Sequence, residues 1–462
     1  MMTHTRNWWT REEKIGWQRP LLFLACILAL VWLVGLLSNP QSVTAQSGTT
    51  ITLESVTTTI NGCETLDVFI RINNVSGLYG ADVLLTFDPA VLEVTALQES
   101  VDFLLPTFYI ARKQWDNTDG TVRLALTQLS PRPPVDGSGN FGRVTFRAKG
   151  AQTNSSIQFG YSELATINGV TIPATAVNGS LSTTPPAATT AAIAKLNPTT
   201  ARLSWTAVPG VSSYNIYRDT YAYFTPTTPH HTTSALTFDD DDALGDVASN
   251  NFYVVRSACA NGFESANANR VGEFDYPLLT DPATNKFNMI ALPLDSTASI
   301  VPFRASGLAA YVGSGVKLVQ RWNTPTQNFR IYNPVTSPPS ANFELSIGGL
   351  YVLEVDNTVD QVVTFVGGVP SQGSIVFNFT LGLSGDCTLN SLSIPLDRTD
   401  ILRASALADD IGGVTQVLGW NPGTQNFRLF KPVISPPSAD FTVRTGYPYF
   451  VCLDETAPIS WP

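Results

Sequence analysis

Short runs in which apolar and polar residues alternate recur along most of the chain, and this period of two predicts β-strands. The clearest run lies in the stretch Leu78–Val94, where one face of the predicted strand is formed by Ala81, Val83, Leu85 and Phe87. Asp88-Pro89 ends this strand, because proline has no N–H for a sheet and disfavours helix in the residue before it. A second apolar run begins at Val91. The pattern predicts two strands joined at a corner, which is typical of a β-sandwich.

The spacing of such runs and of the turns between them predicts a mostly all-β fold. A chain of 462 residues is too long for one core, so several domains are expected. We predict two β-sandwiches, the first a sandwich or jelly roll, followed by two small β-rich modules that each contain a short helix. The predicted boundaries are 1–45 for an N-terminal signal or anchor helix, 46–183 for the first sandwich, 184–194 for a linker, 195–276 for the second sandwich, and 277–383 and 384–462 for the modules.

The two modules are predicted from an internal repeat. RWNTPTQNFRIYNPVTSPPSANF (321–343) matches GWNPGTQNFRLFKPVISPPSADF (419–441). The aromatic positions shared by the copies are Trp322, Phe329 and Tyr332 in the first, and Trp420, Phe427 and Phe430 in the second. A sugar-stacking surface would have this composition, with Trp322 and Trp420 as the candidate glycan-binding residues. The core of a small β domain would have it too, and we favour the core because each aromatic ring buries a large area.

The N-terminus predicts export. Residues 21–37 form an uncharged apolar run after a basic segment, and the small residues that end at Ala45 would permit cleavage there. The run is also just long enough for a tilted membrane helix, so an uncleaved anchor is the alternative. Both interpretations place residues 46–462 outside the cytoplasm, in an extracellular or cell-surface location. Contact with a membrane is expected only through this segment.

Four cysteines follow the apolar run. Cys63 and Cys259 fall in different predicted domains, whereas Cys387 and Cys452 bracket the last module. An oxidising compartment permits a bridge between Cys387 and Cys452, which we take as a candidate disulfide. Spacing alone cannot establish it, because geometry decides whether two cysteines pair.

Charge and composition exclude several functions. The net charge is −10 with no basic stripe, which argues against nucleic-acid binding. The three histidines, His4, His230 and His231, offer no positioned imidazole for a catalytic triad or a zinc site. The acidic run Asp239–Asp242 could attract calcium, but it lacks the spaced ligands of a calcium loop and is interpreted as a solvated loop. No cofactor or metal is therefore predicted.

Two families are recognisable at this point. The ordered set NNVSGLYGADVLLTFDPAVLEV, DNTDGTVRLAL and GSGNFGRVTFRAKG resembles the cohesin domain. This resemblance implies a nine-stranded jelly roll related to carbohydrate-binding modules, which grips the calcium-loaded dockerin of a partner that is usually a glycoside hydrolase. ARLSWTAVPGVSSYNIYRD and SNNFYVVRSACANGFESANANRV resemble a fibronectin type III domain. That resemblance implies core positions for Trp205, Tyr214, Tyr217 and Tyr253.

The cohesin resemblance transfers to few individual residues. In cellulosomal cohesins the strand before the Asp-Pro corner presents a carboxylate to the dockerin, and Asp82 stands at the matching position. That family often has asparagine where this chain has Gly80. The alternative is that Asp82 is an ordinary solvent-facing residue of a strand whose other face is core.

We therefore predict an exported, non-catalytic binding or scaffold protein with an implied role in polysaccharide binding and catabolism. Its partner would be a dockerin-bearing protein or a polysaccharide. The first alternative is a structural cell-surface or adhesin protein that uses the sandwiches as spacers. A lesser alternative is an accessory enzyme of secreted glycoside hydrolases, for which the sequence locates no pair of facing carboxylates.

Overall fold

The structure is a computed structural model that describes residues 48–99, 103–104, 108–149, 153–281, 283–359, 361–382, 387–454 and 456–462. The predicted signal or anchor helix of residues 1–45 lies outside these residues. The described chain is mostly β-structure, which confirms the predicted fold class. Within these ranges, no helix combines the length and the apolar character needed to cross a membrane.

The first sandwich consists of two sheets. The five-stranded sheet has the order β11-β1-β3-β8-β5, and the other has the order β2-β12-β9-β4-β7-β6 with β10 added beside β9. Buried aliphatic and phenylalanine side chains, among them Ile70, Leu85 and Phe146, fill the space between them. The strands are β1 (Thr50–Glu54), β2 (Thr59–Asn61), β3 (Thr65–Leu78), β4 (Gly80–Thr86), β5 (Leu92–Glu99), β6 (Phe108–Asp116), β7 (Thr121–Gln128), β8 (Val135–Ala148), β9 (Asn154–Ala165), β10 (Thr171–Ile172), β11 (Thr175–Val177) and β12 (Gly179–Thr184).

The Asp-Pro corner lies between β4 and β5, where the chain passes from one sheet to the other. The Asp88 carboxylate accepts a hydrogen bond from the Ala90 N–H at 2.9 Å, which closes the turn. The turn before β7 packs against this corner, because the Phe87 N–H donates to the Gly120 carbonyl at 2.8 Å. A Cβ on Gly120 would lie 2.1 Å from the Phe87 carbonyl oxygen, and the residue has a positive φ of 65°. Only glycine fits there.

The second sandwich pairs a three-stranded sheet, β13-β14-β17, with a five-stranded sheet, β16-β15-β18-β19-β24, whose last strand, β24 (Val362–Gly368), comes from further along the chain. Trp205 packs against Tyr214 at 5.4 Å between ring centroids, and both are buried. Tyr217 and Tyr253 are buried as well. The strands are β13 (Ala191–Lys195), β14 (Ala201–Trp205), β15 (Ser213–Asp219), β16 (His231–Thr233), β17 (Thr237–Asp240), β18 (Phe252–Ala258) and β19 (Val271–Pro277).

The acidic run 239–242 begins at the end of β17, where Asp240 is buried, and continues into a turn where Asp241 and Asp242 are exposed. Asp239 forms a forked ion pair with Arg202, with both contacts at 2.6 Å. Asp240 is buried and accepts hydrogen bonds from the Tyr253 hydroxyl at 2.7 Å and from Arg218 at 3.0 Å. Asp239 thus links β17 to β14 within one sheet, whereas Asp240 links β17 to β15 and β18 of the other sheet.

The two repeat copies share a central succession of strand, helix, two-stranded hairpin and strand, and the same order in their four-stranded sheets. Their sheets run β20-β23-β21-β22 and β26-β29-β27-β28, and β25 pairs with β30. The elements of the first copy are β20 (Lys286–Ala291), α1 (Ala305–Val312), β21 (Val316–Asn323), β22 (Asn328–Tyr332), β23 (Leu350–Val355) and β24 (Val362–Gly368). Those of the second copy are β25 (Phe377–Asn378), β26 (Thr388–Ser393), α2 (Ala404–Ile411), β27 (Val414–Asn421), β28 (Asn426–Phe430), β29 (Pro448–Leu453) and β30 (Ser460–Trp461).

Strand β24 belongs to the first repeat in sequence but to the second sandwich in space. It pairs antiparallel with β19 over seven residue pairs, from Val271↔Gly368 to Pro277↔Val362. One hydrophobic core then continues from the second sandwich into the first repeat, and includes Phe274, Tyr276, Ile290, Leu308 and Phe365. The five-stranded sheet is thus covered on both faces, which explains why β18 and β19 are almost entirely buried.

Two disulfides link distant parts of the chain. Cys63, in the turn between β2 and β3, is bonded to Cys259 at the end of β18, with 5.2 Å between the Cα atoms. This bridge joins the two sandwiches and was not predicted from the sequence. Cys387 is bonded to Cys452, with 5.3 Å between the Cα atoms. It ties the start of β26 to β29 within the second copy.

A buried carboxyl pair lies on β19. Glu273 and Asp275 are 0% and 1% exposed, and Oε2 of Glu273 has no hydrogen-bond partner among the described residues. Burial, reinforced by the neighbouring Asp275, raises the pKa of Glu273 to about 9. Burial also raises the pKa of Asp275. Glu273 therefore favours the protonated state at neutral pH in the folded protein.

The Glu273→Gln variant is expected to keep its stability at alkaline pH better than the unchanged protein. The pKa of Glu273 is higher in the folded than in the unfolded chain, so its stabilising contribution is complete below about pH 4.5 and is lost as pH rises towards about 9. The loss is on the order of 1 kcal/mol per pH unit. Melting temperatures measured across this range should fall less steeply in the variant. Glu344→Gln, at a side chain that is 74% exposed, is the control; equal slopes in all three proteins would contradict the prediction.

Candidate binding surfaces

The first sandwich presents a solvent-facing side on the sheet that contains β4. Register places the outward side chains of β4, β7, β9 and β6 on one surface, which we call the β4 face. It is defined by Asp82, Leu84, Tyr109, Arg123, Thr127 and Tyr161. Leu84 lies at its centre, opposite Arg123 on one side and Tyr161 on the other.

Asp82 is held by its neighbours on the β4 face. Arg123 donates from Nε to Oδ1 at 3.1 Å and from Nη2 to Oδ2 at 2.6 Å, and the Tyr161 hydroxyl donates to Oδ1 at 3.3 Å. The Arg123 guanidinium also lies over the Tyr161 ring at 5.6 Å. Desolvation, with the negative charge of Asp82, raises the pKa of Tyr161. The Asp82 side chain is 26% exposed, so a partner would meet a formed ion pair rather than a free carboxylate.

Gly80 lies close to the backbone and side chains of the neighbouring strand β7. A Cβ at this position would lie 3.1 Å from the Thr127 hydroxyl and 3.2 Å from the Leu126 carbonyl oxygen on β7. A larger side chain would push against the neighbouring strand. The close approach of β7 therefore leaves little room for a side chain at this position.

The outer face of the other sheet is different, because its charges are paired with one another. Arg147 contacts Glu93 at 2.5 Å, and Arg143 contacts Asp67 at 3.0 Å. Arg71 lies 3.7 Å from Glu54. Cross-strand pairs of this kind stabilise the sheet and leave little unpaired charge for a partner.

Strand β6, at the edge of the sheet that contains β4, has exposed apolar side chains. Tyr109, Ile110 and Trp115 are 58%, 38% and 42% exposed. This strand was not predicted from the sequence, because a bulge between Ile110 and Arg112 interrupts the alternation of its side chains between the two faces of the sheet. Its signal in the sequence was the apolar and aromatic segment just before the turn at 117–120.

Trp322 and Trp420, the candidate glycan-stacking residues, lie at the contact between the two repeats. Trp322 Nε1 donates to the Leu389 carbonyl at 2.8 Å, and Trp420 Nε1 donates to the Phe287 carbonyl at 3.0 Å. Leu389 and Phe287 occupy equivalent positions on β26 and β20, the edge strands of the two repeat sheets. Each repeat thus uses its tryptophan to hold the edge strand of the other.

A glutamine completes each of these contacts. Gln327 Oε1 accepts from the Leu389 N–H at 2.9 Å, and Gln425 Oε1 accepts from the Phe287 N–H at 3.0 Å. Both glutamines have a positive φ, near 50°, which turns the tip of the hairpin towards the other repeat. We call these four side chains, Trp322, Gln327, Trp420 and Gln425, the reciprocal clamp. It accounts for the repeated W and TQNFR segments in the sequence.

Apolar side chains surround the clamp. The ring of Phe450, which is 1% exposed, lies 5.6 Å from Trp322 and 5.9 Å from Phe427. A small cleft of about 200 Å³ between the repeats is lined by Phe287, Met289, Gln320, Phe329, Val352, Trp420 and Phe427. The aromatic positions of the repeats are thus used mainly for packing between the copies, and glycan binding by Trp322 and Trp420 stays a prediction.

Metal ligation finds no support in the part of the chain that the structure describes. There, no group of three or more histidine, cysteine, aspartate or glutamate side chains could hold an ion. The pairing of Asp239 and Asp240 with arginines leaves the acidic run without a vacant carboxylate cage for calcium.

Comparison with known proteins identifies one region. Residues 41–181 match the family model of the cohesin domain. No curated protein matches the chain. The solved structures that are similar include a type I cohesin–dockerin complex from Clostridium thermocellum, at 14% identity and a TM-score of 0.27, which covers 30% of this chain and 99% of that one. A non-cellulosomal cohesin from Archaeoglobus fulgidus has 18% identity and a TM-score of 0.24, over 30% and 91% of the two chains. A type II cohesin from Acetivibrio cellulolyticus has 19% identity and a TM-score of 0.25, over 29% and 95%.

Proposed function

We propose that this protein is a non-catalytic scaffold or surface protein whose first sandwich binds a dockerin-bearing protein. The observation that carries the proposal is the match of residues 41–181 to the cohesin family model, over a segment that folds as a two-sheet sandwich. Cohesins act by holding a dockerin, and the partner's catalytic domain then works on polysaccharide. The protein's role in polysaccharide catabolism would be indirect and would need no catalytic group of its own.

The β4 face is the surface proposed to meet the dockerin. It combines an apolar centre at Leu84 with exposed aromatic area at Tyr109 and a polar cluster around Asp82 and Arg123. Protein interfaces typically have such an apolar centre within polar surroundings. The outer face of the other sheet is the weaker candidate, because its arginines are already paired with acidic neighbours.

The proposal includes export and a spacer role for the rest of the chain. Two disulfides are consistent with an oxidising compartment, and the apolar run at 21–37 would supply the export signal or anchor. The second sandwich, whose sequence resembles a fibronectin type III domain, would hold the first at a fixed orientation through the Cys63–Cys259 bridge. A cell-surface protein that displays dockerin-bearing enzymes fits this arrangement.

Binding of purified recombinant dockerins to the immobilised protein tests the proposal. We expect calcium-dependent binding of at least one dockerin that is lost when the chelator EDTA removes calcium, because dockerins need the ion to fold. Insoluble glucan serves as the second ligand. Retention on glucan without any dockerin binding would contradict the proposal and would indicate that the protein binds polysaccharide directly. Failure to bind either ligand would favour the structural spacer.

The Leu84→Ser variant is expected to weaken dockerin binding at least tenfold, which corresponds to about 1.4 kcal/mol. Leu84 is half-buried at the centre of the β4 face, and truncating an apolar centre costs more than changing a rim residue. Arg143→Ser, on the outer face of the opposite sheet, is the matched control and should bind normally. If Arg143→Ser loses affinity and Leu84→Ser does not, the partner binds the opposite sheet.

A further inference from the structure

A second, larger cleft lies where the second sandwich meets the second repeat. Its volume is about 460 Å³, and its walls come from the end of β19, from β20, and from the hairpin and last long strand of the second repeat. Sites for small ligands are typically clefts of roughly 300–1,000 Å³, so the space fits one or two sugar rings. The side chains that give the cleft its chemistry are Trp420, Arg428, Arg444 and Tyr447.

The cleft is positively charged in an acidic protein. Arg428 and Arg444 line it, no aspartate or glutamate does, and the whole chain has a net charge of −10. Neither guanidinium forms an ion pair with a carboxylate of the described residues. Each instead lies over an aromatic ring, Arg428 at 5.1 Å from the centre of Phe441 and Arg444 at 5.8 Å from that of Tyr447. Rings hold the two cations in place without neutralising them.

Aromatic side chains that pack against one another form the walls of the cleft. Tyr447 packs edge-on against Tyr276 with 5.2 Å between ring centroids, and the Tyr276 hydroxyl donates to the Gly446 carbonyl at 2.5 Å. Trp420 is fixed by its hydrogen bond to Phe287 and by an edge-on contact with Phe427 at 4.9 Å. The walls are therefore preorganised, which lowers the entropic cost of binding.

The first repeat has the same local fold with different residues at three positions of this cleft. At the positions equivalent to Thr442, Arg444 and Tyr447 it has Glu344, Ser346 and Gly349. Glu344 pairs with Arg304 at 2.6 Å, whereas the second copy has the uncharged Thr442 opposite Arg403. The same strand and the same backbone hydrogen bond to a tyrosine hydroxyl form in both copies. Over these positions the first copy carries one negative charge, at Glu344, and the second carries one positive charge, at Arg444, on the same local fold.

We propose that this cleft binds a carboxylate-bearing sugar, of the kind found in acidic polysaccharides. Arginine side chains match a carboxylate with two parallel hydrogen bonds. Aromatic walls suit the apolar face of a sugar ring, and the concave shape favours a compact ring over an extended peptide strand. The site lies outside the first sandwich, so it goes beyond the proposed dockerin binding and does not depend on it.

Titration calorimetry of the purified protein with trigalacturonate tests the proposal. We expect binding that weakens with added salt, no binding of the neutral cellotriose, and weaker binding of a hexaglutamate peptide. The Arg444→Ser variant, which installs the residue that the first repeat has at this position, should lose at least tenfold in affinity. Arg330→Gln, at the first-repeat position equivalent to Arg428, is the control and should bind normally.

Several results would overturn the inference. Absence of trigalacturonate binding would do so, as would unchanged affinity in Arg444→Ser. Equal binding of cellotriose would show that the arginines do not select the ligand. Tighter binding of hexaglutamate would assign the cleft to an acidic peptide. An unchanged melting temperature of Arg444→Ser is expected, because the first repeat folds with serine there, and it separates loss of binding from loss of structure.

Discussion

The Trp322→Ala variant is expected to lose about 3 kcal/mol of stability in the part of the molecule that contains the two repeats. The substitution removes an indole that packs against Phe450 and Phe329, and it also removes the hydrogen bond to the Leu389 carbonyl. The Leu389 carbonyl would then keep only the weaker hydrogen bond from Gln327 Nε2 at 3.1 Å. Because the other half of the reciprocal clamp depends on the same interface, both copies should be destabilised together.

Differential scanning calorimetry measures this effect. Trp115→Ala is the matched control, since Trp115 is 42% exposed on β6 of the first sandwich and makes no contact between repeats. The transition of the repeats should move to lower temperature in Trp322→Ala only. A shift of similar size in both variants would mean that the tryptophan acts through general packing and not through the clamp.

The double variant Cys63→Ser, Cys259→Ser is expected to release the first sandwich from the second. The bridge closes a loop with a sequence separation of 196 residues, and removing a link of this length costs about 5 kcal/mol in the chain-entropy account. Direct contacts between the sandwiches remain, such as the hydrogen bond from the Asn261 side chain to the Ala148 carbonyl at 2.9 Å. These contacts alone are too few to replace a covalent link.

Limited proteolysis and calorimetry together check this expectation. Cleavage between residues 184 and 191 should become faster, and the first sandwich should melt separately from the second. Cys387→Ser with Cys452→Ser is the control, because that bridge lies within the second repeat and should affect only its transition. Unchanged proteolysis in the first double variant would show that the non-covalent contacts fix the two sandwiches by themselves.

Regular alternation made the first sandwich predictable from the sequence. Along β4 every second side chain is buried, and Asp88-Pro89 stands at the corner after it. The neighbouring strand β6 was missed because its bulge shifts the alternation by one residue. Local pattern therefore identifies straight strands well and identifies bulged edge strands poorly.

Contacts between distant segments could not be predicted in this way. Cys63 and Cys259 have no spacing signature, since their pairing depends on how two separate sandwiches meet. Trp322 and Trp420 stood out in the sequence as repeated aromatics, and two interpretations were weighed, a core and a sugar platform. The observed role, a hydrogen bond to the edge strand of the other copy, requires knowledge of how the copies pack.

For the candidate site on the first sandwich, the sequence again predicted the local pattern but not the contacts between strands. Alternation placed Asp82 on the outer face, and the structure has it there. Its ion pair with Arg123 depends on the register of β4 against β7, which the sequence does not specify. Gly80 was noticed as a departure from a family pattern, but the proximity of Thr127 on that same neighbouring strand is visible only in the structure.

The position of β24 bears on how such proteins can be recombined. An exchange of gene segments that cut near residue 276 would take β19 without the strand that covers its edge, and an open edge invites aggregation. The same cut would divide one hydrophobic core between two products. Because the reciprocal clamp also joins the two repeats, residues 191–462 form the block that could be inherited or transplanted intact, although the sequence reads as separate modules. Among the described residues, the first sandwich shares no strand with the rest of the chain. Once Cys259, the partner of its Cys63, is replaced, it is the part that evolution or an engineer could exchange most freely.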